Sequence, residues 1–161
     1  MGDTKRFDAY AKYLSKNFPK QCTVADVAGG KGYLQTALRG IGFENVVTFD
    51  KRKGRKDRPK MRYQYRYFGS EVKENFDLLV GLHPDEATDV IITEAWKRKI
   101  AFSIVPCCVM PKTRTYWGAH NYSDWIKHLR TMAEGYGFRV SEAMLPISGR
   151  NIIITGRPKT V

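Results

Sequence analysis

The sequence has few cysteines, few acidic residues and no long apolar run. No apolar run approaches the roughly 20 residues that a bilayer span needs, and residues 1–20 contain no secretory apolar core. The three cysteines, Cys22, Cys107 and Cys108, lack the regular spacing of a disulfide framework. We therefore expect a protein of the reducing cytoplasm, with no membrane-spanning segment and no targeting signal.

The scarcity of acidic residues gives the chain a strong positive charge. Its 161 residues include 28 lysines and arginines but 16 aspartates and glutamates, a formal net charge of +12. Such an excess favours a polyanionic partner, and RNA is the leading expectation. A soluble protein that is basic throughout is the alternative. The length predicts one domain, residues 1–161, with a full core.

Apolar spacing predicts an alternation of strands and helices. A helix is predicted over 4–17, within an N-terminal helical region 1–20. Further helices are predicted over 31–40, 85–98 and 123–136, and strands over 22–28, 45–50, 76–82 and 101–105, within 63–68, and over 138–145 and 151–156. This order predicts an α/β fold with a seven-stranded, mostly parallel sheet that ends in an antiparallel hairpin.

A glycine turn joins the first predicted strand to a helix. Gly29, Gly30 and Gly32 follow an apolar run, and Asp50 ends the next strand about twenty residues later. Glycines let a ligand approach the backbone, and the first turn of the helix offers unpaired N–H groups. An acid placed like Asp50 can accept hydrogen bonds from both hydroxyls of a ribose. The pattern predicts a nucleotide-type site, although a tight turn alone is the alternative.

The run from Asp26 to Gly32, DVAGGKG, resembles the first motif of class I S-adenosylmethionine-dependent methyltransferases, in which Asp50 stands at the ribose-binding acid. The resemblance implies a Rossmann-like fold, S-adenosyl-L-methionine as cofactor and methyltransferase activity. Asp26 would contact the methionine end of the cofactor or orient the loop; a capping or turn carboxylate is the alternative. The candidate cofactor-binding residues are Asp26, Ala28, Gly29, Gly30, Lys31, Gly32, Asp50, Lys51, Gly81 and Leu82.

A second set of motifs follows the predicted central strand. Leu82-His83 and Thr88-Asp89 precede Pro106-Cys107-Cys108, and the combination resembles a narrower methyltransferase group that includes tRNA ribose 2′-O-methyltransferases. This chain has Asp85 where that group has a cysteine, and it lacks the zinc-binding extensions of the tRNA enzymes. The resemblance implies RNA as the acceptor and the ribose 2′-oxygen of tRNA or rRNA as the methylated atom.

Four residues are candidate catalytic residues: His83, Asp85, Cys107 and Lys112. His83 can orient a substrate hydroxyl or accept its proton, or it can cap the next helix. Asp85 can flank the pocket or begin that helix. Cys107 or Cys108 can attack a pyrimidine, as in cytosine-C5 methylation, or bind a metal. The interpretation that we favour is a buried strand-end thiol that shapes the pocket, and no metal site is predicted.

Two basic segments are expected at the rim of the site, because loops after the carboxyl ends of parallel strands line the ligand crevice. They are a basic loop over 51–62 and a basic-aromatic loop over 106–121. Such loops can bind phosphates and stack on bases; a solvated loop, or Trp117 as a lid over the core, is the alternative. The candidate nucleic-acid-binding residues are Arg52, Lys53, Arg55, Lys56, Arg58, Lys60, Arg114 and Trp117.

The leading hypothesis is therefore an RNA ribose 2′-O-methyltransferase, which recognises its substrate through these loops or with a partner protein. Three alternatives remain. They are a cytosine-C5 or other base methyltransferase that uses Cys107 or Cys108, a non-enzymatic RNA-binding subunit with a methyltransferase fold, and a small-molecule or protein methyltransferase.

Overall fold

Within the residues that the structure describes, seven strands form one sheet with helices on both faces. The computed structural model describes residues 4–52, 61–107 and 121–159. The strands are β1 (Val24–Val27), β2 (Val46–Phe49), β3 (Tyr63–Gln64), β4 (Leu78–Leu82), β5 (Ala101–Val105), β6 (Phe138–Met144) and β7 (Ile152–Pro158). The helices are α1 (Lys5–Asn17), α2 (Tyr33–Gly40), α3 (Thr88–Arg98) and α4 (Tyr122–Gly135).

The strands lie in the order β3-β2-β1-β4-β5-β7-β6. β1 is central, and its Val24 pairs with Val46 of β2 and with Leu78 of β4. The first five strands in this order are parallel, whereas β7 lies antiparallel between β5 and β6. The predicted α/β fold with its terminal antiparallel hairpin is confirmed. Because the strand order reverses between β1 and β4, a crevice is expected at their carboxyl ends.

Both faces of the sheet are covered, which explains why its central strands are apolar along their whole length. α1 and α2 cover one face through buried residues such as Tyr10, Leu14 and Leu38. α3 and α4 cover the other face through Ile91 and Leu129. In the described part of the chain, no helix has the length and apolar character of a membrane span.

A buried polar cluster fixes α1 on the sheet. The Tyr10 hydroxyl donates to Ser103 Oγ of β5 at 2.9 Å. Thr155 of β7 donates to the same Ser103 oxygen at 3.2 Å and shares a hydrogen bond with the Tyr13 hydroxyl at 2.9 Å. These bonds compensate the desolvation of the buried hydroxyls. They also hold α1 where its Arg6 reaches the carboxyl end of β4, 3.3 Å from His83 Nδ1.

The start of one helix differs from the sequence prediction. The predicted helix over 85–98 starts with a 3₁₀ turn, Asp85–Ala87, and becomes α-helical at Thr88. The reason is that His83 and Asp85 both have a left-handed backbone, with φ of +51°. The third strand, Tyr63–Gln64, lies within the predicted 63–68. It ends at Gln64, whose carbonyl accepts a hydrogen bond from the Arg66 N–H at 3.0 Å and so turns the chain away from the sheet.

Leu79 of β4 is fully buried and tests the core that this topology creates. We expect Leu79→Ala to lower the free energy of unfolding by about 2–5 kcal/mol, because the truncation leaves a cavity in a packed interior. Met144 is 71% exposed and provides the control; we expect Met144→Ala to change that free energy by less than about 0.5 kcal/mol. Urea denaturation measures both values, and equal losses would contradict the burial of β4.

Candidate functional site

The carboxyl ends of β1, β2 and β4 border a cavity of about 610 Å³. This volume lies in the range of small-molecule sites, and the position is the ligand crevice expected for an open α/β sheet. The lining residues come from the turn after β1, from the chain after β2, from the segment 66–68 and from the 3₁₀ turn and α3. They include Ala28, Phe49, Asp50, Arg52, Phe68 and Asp85.

The glycine turn after β1 has a conformation that needs glycine. Gly30 and Gly32 have left-handed backbones, with φ of +56° and +77°. A Cβ on Gly29 would lie 2.1 Å from Asp26 Oδ2, so no side chain fits there. The hydroxyl of Tyr63 donates to the Gly30 carbonyl and ties the turn to β3. Ala28, at the start of this turn, lines the cavity together with Val27 of β1.

Asp26 is a buried carboxylate beneath this turn. Its Oδ2 accepts a hydrogen bond from Thr48 Oγ1 at 2.9 Å, while its buried Oδ1 has no hydrogen-bond partner among the described residues. Burial raises the pKa of Asp26 to about 7, and the nearby charge of Asp50 adds to the rise. An acceptor in this state is suited to a cationic donor such as an ammonium group.

A buried glutamine that the sequence analysis missed orients Asp26. Gln35 Nε2 of α2 donates to Thr48 Oγ1 at 2.9 Å and to the Arg62 carbonyl at 2.8 Å. Its Oε1 accepts the Arg62 N–H at 3.0 Å. Because Thr48 Oγ1 accepts a hydrogen bond from Gln35, the hydroxyl proton of Thr48 is directed to Asp26. The available sequence signal was a glutamine among the apolar residues of α2 and a threonine within the apolar strand β2.

Asp50 is an ionised carboxylate at the mouth of the cavity. Its Oδ2 accepts the Gly30 N–H at 2.8 Å and Arg52 Nη2 at 3.0 Å. Its Oδ1 accepts the Arg52 backbone N–H at 3.0 Å and Arg52 Nε at 3.1 Å. Burial acts to raise the pKa of Asp50, but the hydrogen bonds from Arg52 and Gly30 outweigh it, so the pKa lies below its ordinary value. The structure thus brings the glycine turn and the predicted ribose-binding acid into direct contact.

Two of the candidate catalytic residues meet at the ends of β4 and β5. Cys107 Sγ donates to Asp85 Oδ1 at 2.9 Å. In this arrangement the sulfur keeps its proton, and only a thiolate is a strong nucleophile. The contact joins Asp85 to the strand-end thiol that the sequence analysis favoured. A catalytic role for either residue stays a prediction.

His83 lies between α1 and the turn that connects β6 to β7. Its Nδ1 is 3.3 Å from Arg6 Nη1, and its Nε2 is 2.9 Å from the Arg150 carbonyl oxygen. A guanidinium can only donate, so we assign Nδ1 as the acceptor and Nε2–H as the donor to Arg150. Burial lowers the pKa of His83, which favours this neutral form. Both ring nitrogens are engaged, and the catalytic role of His83 stays a prediction.

The other described candidates have simpler surroundings. Lys31 is exposed, with Nζ 5.9 Å from the centre of the Tyr33 ring, and Lys51 Nζ is 4.9 Å from the Tyr67 ring centre. A Cβ on Gly81 would lie 2.5 Å from Ile91 Cδ1, so this glycine lets α3 pack closely on β4. Leu82 is partly buried and packs in the core on the α1 and α2 face.

Several predicted residues cannot be placed. Lys53, Arg55, Lys56, Arg58 and Lys60 of the basic loop lie outside the described residues, as do Cys108, Lys112, Arg114 and Trp117. Among the residues at 4–52, 61–107 and 121–159, no group of three or more histidine, cysteine, aspartate or glutamate side chains is arranged to hold a metal ion.

Solved structures share this architecture. The chain is similar to the ribosomal protein L11 methylase of Lactobacillus delbrueckii subsp. bulgaricus, with 19% identity, a TM-score of 0.66 and coverage of 99% of this chain and 81% of that one. It is also similar to a candidate S-adenosyl-L-methionine-dependent methyltransferase of Methanococcus maripaludis, with 12% identity, a TM-score of 0.66 and coverage of 98% and 87%. A candidate RNA methyltransferase of Pyrococcus horikoshii gives 15% identity, a TM-score of 0.60 and coverage of 98% and 83%.

At such low identity these likenesses show the fold alone, and the predicted Rossmann-like methyltransferase fold is confirmed. The sequence itself matches no protein-family model and no curated protein. The acceptors named for the similar structures differ, from a ribosomal protein to RNA. The fold therefore does not identify a methyl acceptor.

The raised pKa of Asp26 predicts a pH-dependent stability. Its pKa is about 7 in the native state against an ordinary 3.8, so the native state binds the proton more tightly and stability falls as the pH rises from about 4 to about 7. Asp26→Asn cannot ionise. Relative to the wild type, we expect its free energy of unfolding to increase by about 2–3 kcal/mol between pH 5 and pH 8.

Urea denaturation of both proteins at matched pH values measures this difference. The titration of groups that the two proteins share, including the half-buried His83, cancels in the comparison. A difference between wild type and Asp26→Asn that does not change with pH would show that Asp26 titrates normally.

Proposed function

We propose that this protein is an S-adenosylmethionine-dependent methyltransferase whose cofactor lies in the cavity at the carboxyl ends of β1, β2 and β4. The observation that carries the proposal is the contact between the Gly30 N–H and Asp50 Oδ2, 2.8 Å long. It places an open glycine backbone and an ionised carboxylate side by side at the reversal of strand order. This is the arrangement that a nucleoside ligand requires.

The residues present fit such a cofactor. Asp50 places an ionised carboxylate at the mouth of the cavity, where the ribose of the cofactor would lie. The unpartnered Oδ1 of buried Asp26 suits the ammonium of the methionine end. The left-handed turn at Gly30 admits the ligand close to the backbone. Phe49 and Phe68, which line the cavity and pack edge to face at 5.0 Å between ring centres, give the adenine an apolar surface.

When bound, the cofactor supplies a methyl group already activated on a sulfonium. The protein therefore has to align the acceptor and, for a hydroxyl acceptor, provide a path for its proton. Asp85 is positioned to accept the proton of the acceptor hydroxyl, since it lines the cavity. Its Oδ1 accepts a hydrogen bond from the Cys107 thiol. Its other oxygen is the base that we assign to the reaction.

We assign RNA as the acceptor and the ribose 2′-oxygen as the methylated atom. Four basic residues from separate parts of the chain support this choice. Lys51 and Arg52 line the cavity, the guanidinium of Arg6 contacts His83, and Arg150 contacts the same histidine through its backbone carbonyl. Arg6 and Arg150 form no ion pair with a carboxylate in the described ranges, so they are available to phosphates. The net charge of +12 and the similarity to a candidate RNA methyltransferase agree with this assignment.

Replacement of Asp50 tests the cofactor site. We expect wild-type protein to bind S-adenosylhomocysteine, and Asp50→Ala to bind it about 100-fold more weakly or worse, because two hydrogen bonds to an ionised acceptor are lost. Asp8, an exposed acid of α1, is the control, and Asp8→Ala is expected to bind like the wild type. Calorimetric titration measures all three. A folded wild type that binds no ligand at millimolar concentration would refute the cofactor site.

Replacement of Arg150 tests the acceptor. Arg150 lies over the Tyr122 ring, with Cζ 4.1 Å from its centre. If it contacts a phosphate of single-stranded RNA, Arg150→Ala should reduce the slope of log affinity against log salt by about 0.7. Arg130→Ala removes an arginine that is already paired with Glu134 and Glu142, and should leave the slope unchanged.

Filter binding across a salt series measures these slopes, and incubation with methyl-labelled cofactor tests the reaction. A methylated 2′-oxygen is recognised because the RNA then resists alkaline cleavage at that nucleotide. Label that enters a protein or a small molecule instead, or an alkali-sensitive product labelled on a base, would contradict the assigned acceptor.

A further inference from the structure

Arg52 fills the acceptor positions of the carboxylate that the proposed cofactor needs. Asp50 receives four hydrogen bonds, two on each oxygen, and three of the four come from Arg52. A carboxylate offers about four lone-pair directions in all. In this arrangement, two ribose hydroxyls have no free acceptor position on Asp50.

The guanidinium of Arg52 also lies over the glycine turn. A Cβ built on Gly30 would come within 3.4 Å of Arg52 Nη2, and Arg52 lines the cavity. The same side chain therefore covers both features by which a nucleoside would be held, the carboxylate and the open backbone beside it.

The arginine is on the solvent side of this ion pair. The side chain of Arg52 is 69% exposed, whereas that of Asp50 is 4% exposed. An ion pair with one exposed partner is weak and is screened by salt, so the guanidinium can exchange Asp50 for another anion. A phosphodiester is a suitable partner, because the planar fork of an arginine binds two of its oxygens together. Lys51, which also lines the cavity, adds charge for the same anion.

We propose that Arg52 is shared between two sites. Without ligands it occupies the ribose positions on Asp50; when a phosphodiester of the RNA acceptor binds, it turns outward to that phosphate and frees Asp50 for the cofactor. Cofactor and RNA then bind with positive coupling, and each strengthens the other by the same factor. The inference rests on the proposed function, since it needs Asp50 to be the ribose acceptor.

Calorimetric titration with S-adenosylhomocysteine tests the first half of this inference. We expect Arg52→Ala to bind about two- to fivefold more tightly than wild type, the factor that corresponds to an exposed ion pair. Arg52→Lys keeps the charge without the planar fork and should fall between them. Arg130→Ala is the matched control, because it removes an exposed arginine that is paired with Glu134 and Glu142 and does not line the cavity, and it should bring no gain.

The second half is tested by repeating the titration with a saturating single-stranded RNA of 12 nucleotides. The RNA should tighten the binding of S-adenosylhomocysteine to the wild type by the same factor as the Arg52→Ala substitution does. It should have little effect on the binding of S-adenosylhomocysteine to Arg52→Ala. The inference is overturned if Arg52→Ala and Arg52→Lys bind no more tightly than wild type, if Arg130→Ala gains as much, or if the RNA acts equally on wild type and Arg52→Ala. A failure of every folded form to bind S-adenosylhomocysteine would instead overturn the proposed function.

Discussion

The carboxylate of Asp50 is the constraint on which the candidate site depends. It lies at the end of β2 and accepts the N–H of Gly30, so it sets how the turn after β1 faces the cavity. The Asp50 carboxylate stays ionised next to the left-handed backbone of Gly30, because hydrogen bonds from Arg52 and Gly30 lower its pKa. The charge that would hold a ribose also fixes the shape of the turn that would admit it.

A buried polar layer beneath this carboxylate holds the turn from the other side. Gln35 orients Thr48, Thr48 donates to Asp26, and Asp26 lies directly under Gly29. The chain keeps a buried acid with a pKa of about 7 at this point, which costs stability near neutral pH. A buried acid of that kind, beneath the turn that borders the cavity and with one oxygen unpartnered, is typical of a binding site rather than of a core.

Much of the fold could be predicted from local patterns. The apolar strands, the glycine turn, Asp50 and the terminal hairpin each depend on residues close in sequence, and the structure brings Asp50 to Gly30 as a nucleotide-type turn requires. The contacts of His83 could not be predicted, because its partners lie 77 residues before and 67 residues after it. The contact of Arg52 with Asp50 spans two residues, but it depends on side-chain geometry that the sequence does not specify. The 3₁₀ turn at Asp85 could not be predicted because a left-handed backbone is uncommon at any residue other than glycine.

Amide chemical shifts test the position of the cofactor most directly, since a second cavity of about 430 Å³ lies between α1 and α2 and is lined by Phe7, Tyr33 and Thr36. On titration with S-adenosylhomocysteine, the ¹H–¹⁵N spectrum should show its largest changes at Gly29, Gly30 and Arg52. The Gly30 amide is the most informative, because its hydrogen bond to Asp50 is altered when the carboxylate takes a ribose. Changes confined to Tyr33 and Thr36, with Gly30 unmoved, would place the ligand in the second cavity and contradict the site proposed at Asp50.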